Sequence, residues 1–364
     1  MRKIDLIAGA RPNFMKIAPI IEAISKKQKK GSDLCYRLIH TGQHYDQNMS
    51  GSFFEQLRIP EPDINFGIGS GTQAVQTAGI MVGYEQVLIQ EKSNLCVVVG
   101  DVTSTMACAI TAQKMHVPVA HVEGGIRSGD WSMPEEINRM ATDAVTNWYF
   151  TTSQFANDNL SKSGVKEDRV FFVGNTMIDT LISNLGRLKA PEIWRKAGLQ
   201  EKKYFLLTLH RPNNVDAAEN LKKLLEIIIQ YCRDLPVVFP VHPRTAKTME
   251  ALKMDLPGLH TIEPLGYLEF NYLVKNALGV ITDSGGITEE TTVLGVPCMT
   301  MRDSTERPET ISLGTNELVG TKPEALQPYL VRLLEGKWKK GKIPPLWDGK
   351  AAERIVQHLE VLLQ

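Results

Sequence analysis

Residues 121–139, HVEGGIRSGDWSMPEEINR, set Glu123, Glu135 and Glu136 among Arg127, Arg139 and three glycines, directly behind the apolar run VPVA. Groups able to take up and return a proton, carried on pliant backbone at a strand end, suit acid–base work on a bound molecule. Part of the pattern has a plainer use. Ser132-x-x-Glu135 has the capping-box spacing, Pro134 favours a helix start, and Glu136 complements the helix dipole. Capping leaves Glu123 unexplained, one residue past a buried strand, unless it simply pairs with Arg127. Asp101, in GDVTST (100–105), also stands between a strand and a helix, where N-capping is its commonest use.

Other stretches suit anions. In GARPNFMK (9–16) a glycine turn and a proline helix start bring Arg11 and Lys16 near free backbone N–H groups. In DSGGITEE (283–290), Ser284, Gly285 and Gly286 lead straight into a helix, and a carboxylate one turn in could grip a ribose diol. His210 (in TLHRPNN) and His242 (in VHPR) each close a strand, a better place for chemistry than most histidines occupy. Several classes are disfavoured. No G-x-G-x-x-G fingerprint points to a nicotinamide or flavin, HVE and TLHRP lack the helical H-x-x-x-H spacing of a metal site and no Cys–His cluster exists, and no G-x-S-x-G points to acyl transfer.

The elements that must hold these residues read as alternating strands and helices. The runs KIDLIAG, CYRLIHTG, NLCVVVGD, VPVAHVEG, WYFTT and VFFVGN predict buried parallel strands between helical segments. The pattern restarts with YFLLTLH, VVFPVH, HTIEP, GVITDSG and PCMTM. With 364 residues, this predicts an α/β protein of two Rossmann-like doubly wound domains, residues 1–184 and 185–350. The polar stretch 185–203 reads as their joint. The amphipathic segment 351–364 either returns to the first domain or caps the second. Such domains take ligands at the carboxyl ends of their strands, in a cleft between them.

Composition narrows the partners. Lys plus Arg equals Asp plus Glu at 41 each, which argues against a nucleic-acid coat or a membrane-surface protein. Asp5 breaks the only run resembling a signal h-region, and nothing approaches the roughly 20 apolar residues of a membrane helix. The 5 cysteines form no C-x-x-C pair and read as reduced thiols, so a cytoplasmic location is expected.

Taken in order, GARPNFMK, TGQHYD, VVVGDVTST, HVEGGIRSGD, MPEEINR, VGNTMIDT, LHRPNN, PVHPR, ITDSGGITEE and MRDSTERPE resemble the UDP-N-acetylglucosamine 2-epimerase family. The likeness is to its non-hydrolysing bacterial and archaeal branch and spans nearly the whole chain. It implies the glycosyltransferase-B arrangement, a homodimer, a UDP-sugar substrate, and neither metal nor other cofactor. By position it implies acid–base roles for Asp101, Glu123 and Glu135, and a catalytic role for His210. Phosphate and nucleotide contacts fall on Arg11, Lys16, Arg139, His242, Ser284, Gly285, Gly286 and Glu290, with Phe270 near the uracil. Thus Asp101 and Glu135 move from caps to catalysts on the resemblance, not on spacing.

The implied reaction is reversible epimerisation at C2 through elimination of UDP to a 2-acetamidoglucal and its re-addition. Gln43 and His44 match a pair that binds a second, activating substrate molecule in many bacterial members, although Asp46 and GSGTQ (69–73) do not supply its other contacts. Ala10, Asn13, Val102, Pro212 and Asn213 also depart from the usual motifs. These departures leave room for a modified substrate such as a UDP-2,3-diacetamido-uronic acid. A hydrolysing epimerase, a retaining glycosyltransferase and a sugar-nucleotide sensor are the remaining alternatives.

Overall fold

The computed structural model describes residues 2–42, 54–215, 218–232, 234–241, 243–251 and 256–364. The chain forms two compact units, Met1–Ser183 with Pro345–Gln364, and Asn184–Pro344.

In the first unit seven parallel strands follow the order β3-β2-β1-β4-β5-β6-β7. They are β1 (Arg2–Ala8), β2 (Leu34–His40), β3 (Ile64–Asn65), β4 (Leu95–Val99), β5 (Val119–Val122), β6 (Trp148–Thr151) and β7 (Val170–Phe172). Every residue of β4 and β5 is buried, as a sheet covered on both faces requires. Asp5 interrupts the apolar run of β1 for a structural reason. Its buried carboxylate accepts from Arg37 Nε (2.8 Å) and Nη2 (3.0 Å), Tyr84 Oη (2.9 Å) and Ser93 Oγ (2.7 Å). A buried charge met on all sides is tolerated where an unpaired one would not be.

The C-terminal helix Ala351–Leu362 belongs to this unit, which resolves its two possible placements. It buries Ala351, Ala352, Ile355, Val356 and Leu359. Asp179 accepts from its first N–H groups, Ala351 N at 3.1 Å and Ala352 N at 2.7 Å. Just before it, Trp347 Nε1 donates to the Thr152 carbonyl at 2.9 Å.

The second unit has six parallel strands in the order β10-β9-β8-β11-β12-β13. They are β8 (Phe205–Thr208), β9 (Val237–Pro240), β10 (Leu259–Ile262), β11 (Gly279–Thr282), β12 (Cys298–Thr300) and β13 (Asn316–Leu318). Both units are therefore doubly wound α/β sheets. The strand order reverses between β1 and β4 in one and between β8 and β11 in the other.

Two strands, β3 and β13, escape the sequence reading. They are edge strands of two and three residues, too short to show a hydrophobic period. The polar stretch 185–203 is more than a joint. Its helix Glu192–Lys196 sets Trp194 edge-on to Tyr204 and Tyr272, with ring centres 5.9 and 5.1 Å apart, on the core of the second unit.

Candidate active site

At the switch point of the first sheet the ends of β1, β4 and β5 converge. Asn13, one turn into the helix Arg11–Gln28, is fully buried there. Its Oδ1 accepts from Gly9 N (3.0 Å) and Ala10 N (3.1 Å), while Nδ2 donates to the Val99 carbonyl (3.0 Å). A glutamate at this position could not donate to that carbonyl. One turn on, Lys16 Nζ meets Glu123 Oε2 at 2.6 Å, both side chains buried. Gly100, at φ +67°, makes room for the pair, since a Cβ there would lie 2.7 Å from Lys16 Nζ. Glu123 itself adopts φ +72°, a strained conformation for a glutamate.

Next to Gly100 stands Asp101. The helix Thr103–Lys114 is N-capped by Val102 without a side-chain bond, so Asp101 is no cap. Its carboxylate instead pairs with buried Arg139, which also donates to Glu136 Oε2 at 2.7 Å. Asn138 Nδ2 holds the Asp101 carbonyl at 2.9 Å. Glu136 is fixed in turn by Ser128 N (2.9 Å), Ser128 Oγ (3.0 Å) and Gly129 N (3.0 Å). Burial pushes its carboxyl upward, but these donors and Arg139 prevail and hold it below the usual range.

The capping box does not form. The helix Pro134–Ala144 starts after Met133, and Ser132 Oγ donates to Asp130 at 2.6 Å. Glu135 lies half-buried in the first turn. Nor does Glu123 pair with Arg127. Arg127 Nη1 reaches Asp143 Oδ2 at 2.6 Å, and Asp143 also meets His121.

In the second unit the switch point is built around Asp283, at the end of β11 and wholly buried. It accepts from Arg211 N (2.9 Å), Asn214 Nδ2 (2.9 Å) and His210 N (3.1 Å), and His210 Nδ1 lies 2.7 Å away. Burial opposes its charge, yet His210, Asn214 and the Arg211 N–H outweigh it and keep the carboxyl low. The His210 side chain remains 58% exposed, oriented but accessible.

Ser284 then opens the helix Gly285–Leu294, its N–H on Thr282 Oγ1 at 3.0 Å. A Cβ at Gly285 would stand 2.5 Å from Glu306 Oε1, so a larger residue here would push that side chain, which pairs with Arg302, out of place. The two glutamates of this helix part company. Glu289 pairs with Arg307 Nε at 2.6 Å, whereas Glu290 accepts from Asn271 Nδ2 at 3.2 Å and meets no cation among the described residues. Burial lifts the Glu290 carboxyl to about 7, against the hydrogen bond from Asn271. Phe270 packs on the core beside this helix pair.

Two sets of polar side chains thus stand each at the switch point of a doubly wound sheet. The model of the UDP-N-acetylglucosamine 2-epimerase family matches residues 26–360. The chain belongs to that family. A UDP-N-acetylglucosamine 2-epimerase of Methanocaldococcus jannaschii is 42% identical over 98% of both chains. The crystal structure of the M. jannaschii UDP-GlcNAc 2-epimerase with UDP-GlcNAc and UDP aligns at a TM-score of 0.87, covering 99% of each chain. A UDP-2,3-diacetamido-2,3-dideoxy-D-glucuronate 2-epimerase of Pseudomonas aeruginosa is 39% identical over 99% of this chain and 100% of its own.

Within this epimerase-family chain the structure brings Lys16, Asp101, Glu123 and Arg139 into one cluster and His210 and Ser284 into another. Gln43, His44 and His242 lie outside the described residues, as does the Arg11 side chain. Glu136 was read as a dipole complement and Asn13 as a departure from the family motif, and reading the sequence missed His121, Asp143, Asn214 and Asp283. Of these only Asp283 gave a signal, as an acid closing an apolar strand before Ser-Gly-Gly.

Proposed function

We propose that the protein epimerises UDP-N-acetylglucosamine at C2, reversibly, giving UDP-N-acetylmannosamine. The observation that carries this reading is the Gly100–Asp101 turn, where Asp101 and the Lys16–Glu123 pair gather at a switch point. The C2 hydrogen of the sugar is not adjacent to a carbonyl and resists direct removal. When the C1–O bond breaks, its electron pair leaves with UDP. The C2–H pair then forms the C1=C2 double bond of a 2-acetamidoglucal, and the proton passes to a carboxylate. Return of a proton to the opposite face, with UDP adding back at C1, completes the exchange. Two faces require at least two acid–base groups, drawn from Asp101, Glu123 and Glu135. Lys16 and Arg139 offset the negative charge these carboxylates concentrate in one place.

Nucleotide binding falls to the second unit. Asp283 takes the Nδ1 proton of His210 and leaves Nε2 for the diphosphate. The N–H groups opening the helix Gly285–Leu294 bind phosphate oxygens, and Glu290 takes the ribose hydroxyls. The protein acts as a cytoplasmic homodimer without metal or other cofactor. The 39% identity to the diacetamido-glucuronate epimerase supports a second reading, the same chemistry on that modified sugar.

Incubation with either UDP-sugar in deuterated water, followed by proton and phosphorus spectra, tests both. The expected result is a mixed gluco/manno pool with deuterium at C2 and little free UDP. Deuterium only in the diacetamido sugar would shift the assignment to that substrate, and none in either would overturn epimerisation. Asp101→Asn, Glu123→Gln and Glu135→Gln should each lower kcat by roughly 100-fold or more while leaving UDP affinity near normal. Near-normal turnover would remove that residue from the set.

A further inference from the structure

His121, third residue of β5, is buried in the sheet and touches two acceptors. Its Nε2 lies 2.8 Å from the Gly100 carbonyl and its Nδ1 2.8 Å from Asp143 Oδ1. A carbonyl oxygen offers only lone pairs, so Nε2 must donate. The other oxygen of Asp143 accepts from Gly125 N at 3.0 Å and faces Arg127 Nη1 at 2.6 Å. Asp143 thus holds the Nδ1 edge of the ring while Nε2 meets the turn.

We propose that His121 is a positioning residue that, through a hydrogen bond from Nε2–H to the Gly100 carbonyl, fixes the turn bearing Asp101. This deepens the epimerase reading and rests on it for its kinetic consequence. Gly100 is gripped twice by β5, its N–H on the Val122 carbonyl at 3.0 Å and its carbonyl on His121. A Cβ built on Gly100 would lie 2.7 Å from Lys16 Nζ, so the Lys16–Glu123 pair packs against the same turn that bears Asp101.

The test begins with the intact protein carrying nitrogen-15 histidine, with His121 assigned by its loss in His121→Gln. Long-range proton–nitrogen correlation should show Nε2 bearing a proton, as the bond to the Gly100 carbonyl requires. A ring protonated at Nδ1 alone would overturn the assignment. Kinetically, His121→Phe should lose roughly 100-fold in kcat with KM changed less than about threefold, as expected when reacting groups are misplaced rather than substrate lost. His121→Gln, which keeps an N–H able to reach Gly100, should recover part of that loss. Wild-type kcat in His121→Phe, or an equal loss in kcat and in UDP affinity, would sink the positioning role. Should wild type not epimerise at all, the functional reading fails while the spectroscopic result still decides the protonation of His121.

Discussion

Glu290 shows how much one side chain's surroundings change what it can do. It is buried with no cation beside it among the described residues, and burial lifts its carboxyl to about 7 despite the hydrogen bond from Asn271. Ribose hydroxyls donate best to the ionised form, so nucleoside affinity should rise with pH as the carboxyl loses its proton. Uridine has no phosphate to titrate, and its calorimetric Kd should tighten about tenfold between about pH 6 and pH 8, with the slope abolished in Glu290→Gln. A slope unchanged in the variant would remove Glu290 from the ribose contact. Residue types alone could not separate Glu290 from Glu289. Their division depends on Arg307 and Asn271, which arrive from other elements. The same blindness explains Ser132 and Glu135, whose capping-box spacing is correct in the chain but unused. Ser132 bonds Asp130, and Ser128 with Gly129 takes Glu136 instead. Glu123 was legible because nothing local explained a carboxylate just past a buried strand. Its partner was not, since Lys16 lies 107 residues away in the chain.

At the scale of elements, strand interiors were readable and their returns were not. Continuous apolar runs announce β4 and β5 because both faces are covered. The destination of the C-terminal helix depends on Asp179, which caps its first N–H groups from another helix, Thr176–Asn184. Burial raises the Asp179 carboxyl to about 6, against those two N–H bonds. Since the folded value lies above the ordinary 3.8, the native state keeps a proton that the unfolded chain releases. The associated stability is complete below about pH 4 and is lost as pH rises through about 6, a change of roughly 3 kcal/mol for two units. Asp179→Asn has no such proton. In denaturant titrations across that range, wild type should lose stability relative to this variant by up to that amount. Parallel pH profiles would show that the cap is not strained by its charge.

At the scale of the whole molecule, the proposed homodimer needs an apolar surface, and the helix Gln73–Gln90 offers one. Its inner face buries Ile80, Tyr84, Val87 and Leu88 in the core. Val75, Val82 and Ile89 stand on the other side, seven residues apart, at 64%, 60% and 60% exposure. Scattered exposed apolar residues are ordinary, but three aligned along one helix form a stripe that a second copy of the chain can cover. In the sequence this helix carries Val75, Val82 and Ile89 as well as Ile80, Tyr84, Val87 and Leu88. Only the structure shows which side the core uses, because the neighbouring helix Thr103–Lys114 covers the inner side with Ala107, Ala109 and Ala112. Val82→Asp should therefore leave the fold and its thermal unfolding nearly unchanged, while light scattering after gel filtration shifts from dimer to monomer at micromolar concentration. A charge in mid-stripe is desolvated only when two copies meet, so its cost appears in association and not in folding. A monomeric wild type would refute the dimer, and a dimeric variant would move its interface away from this helix.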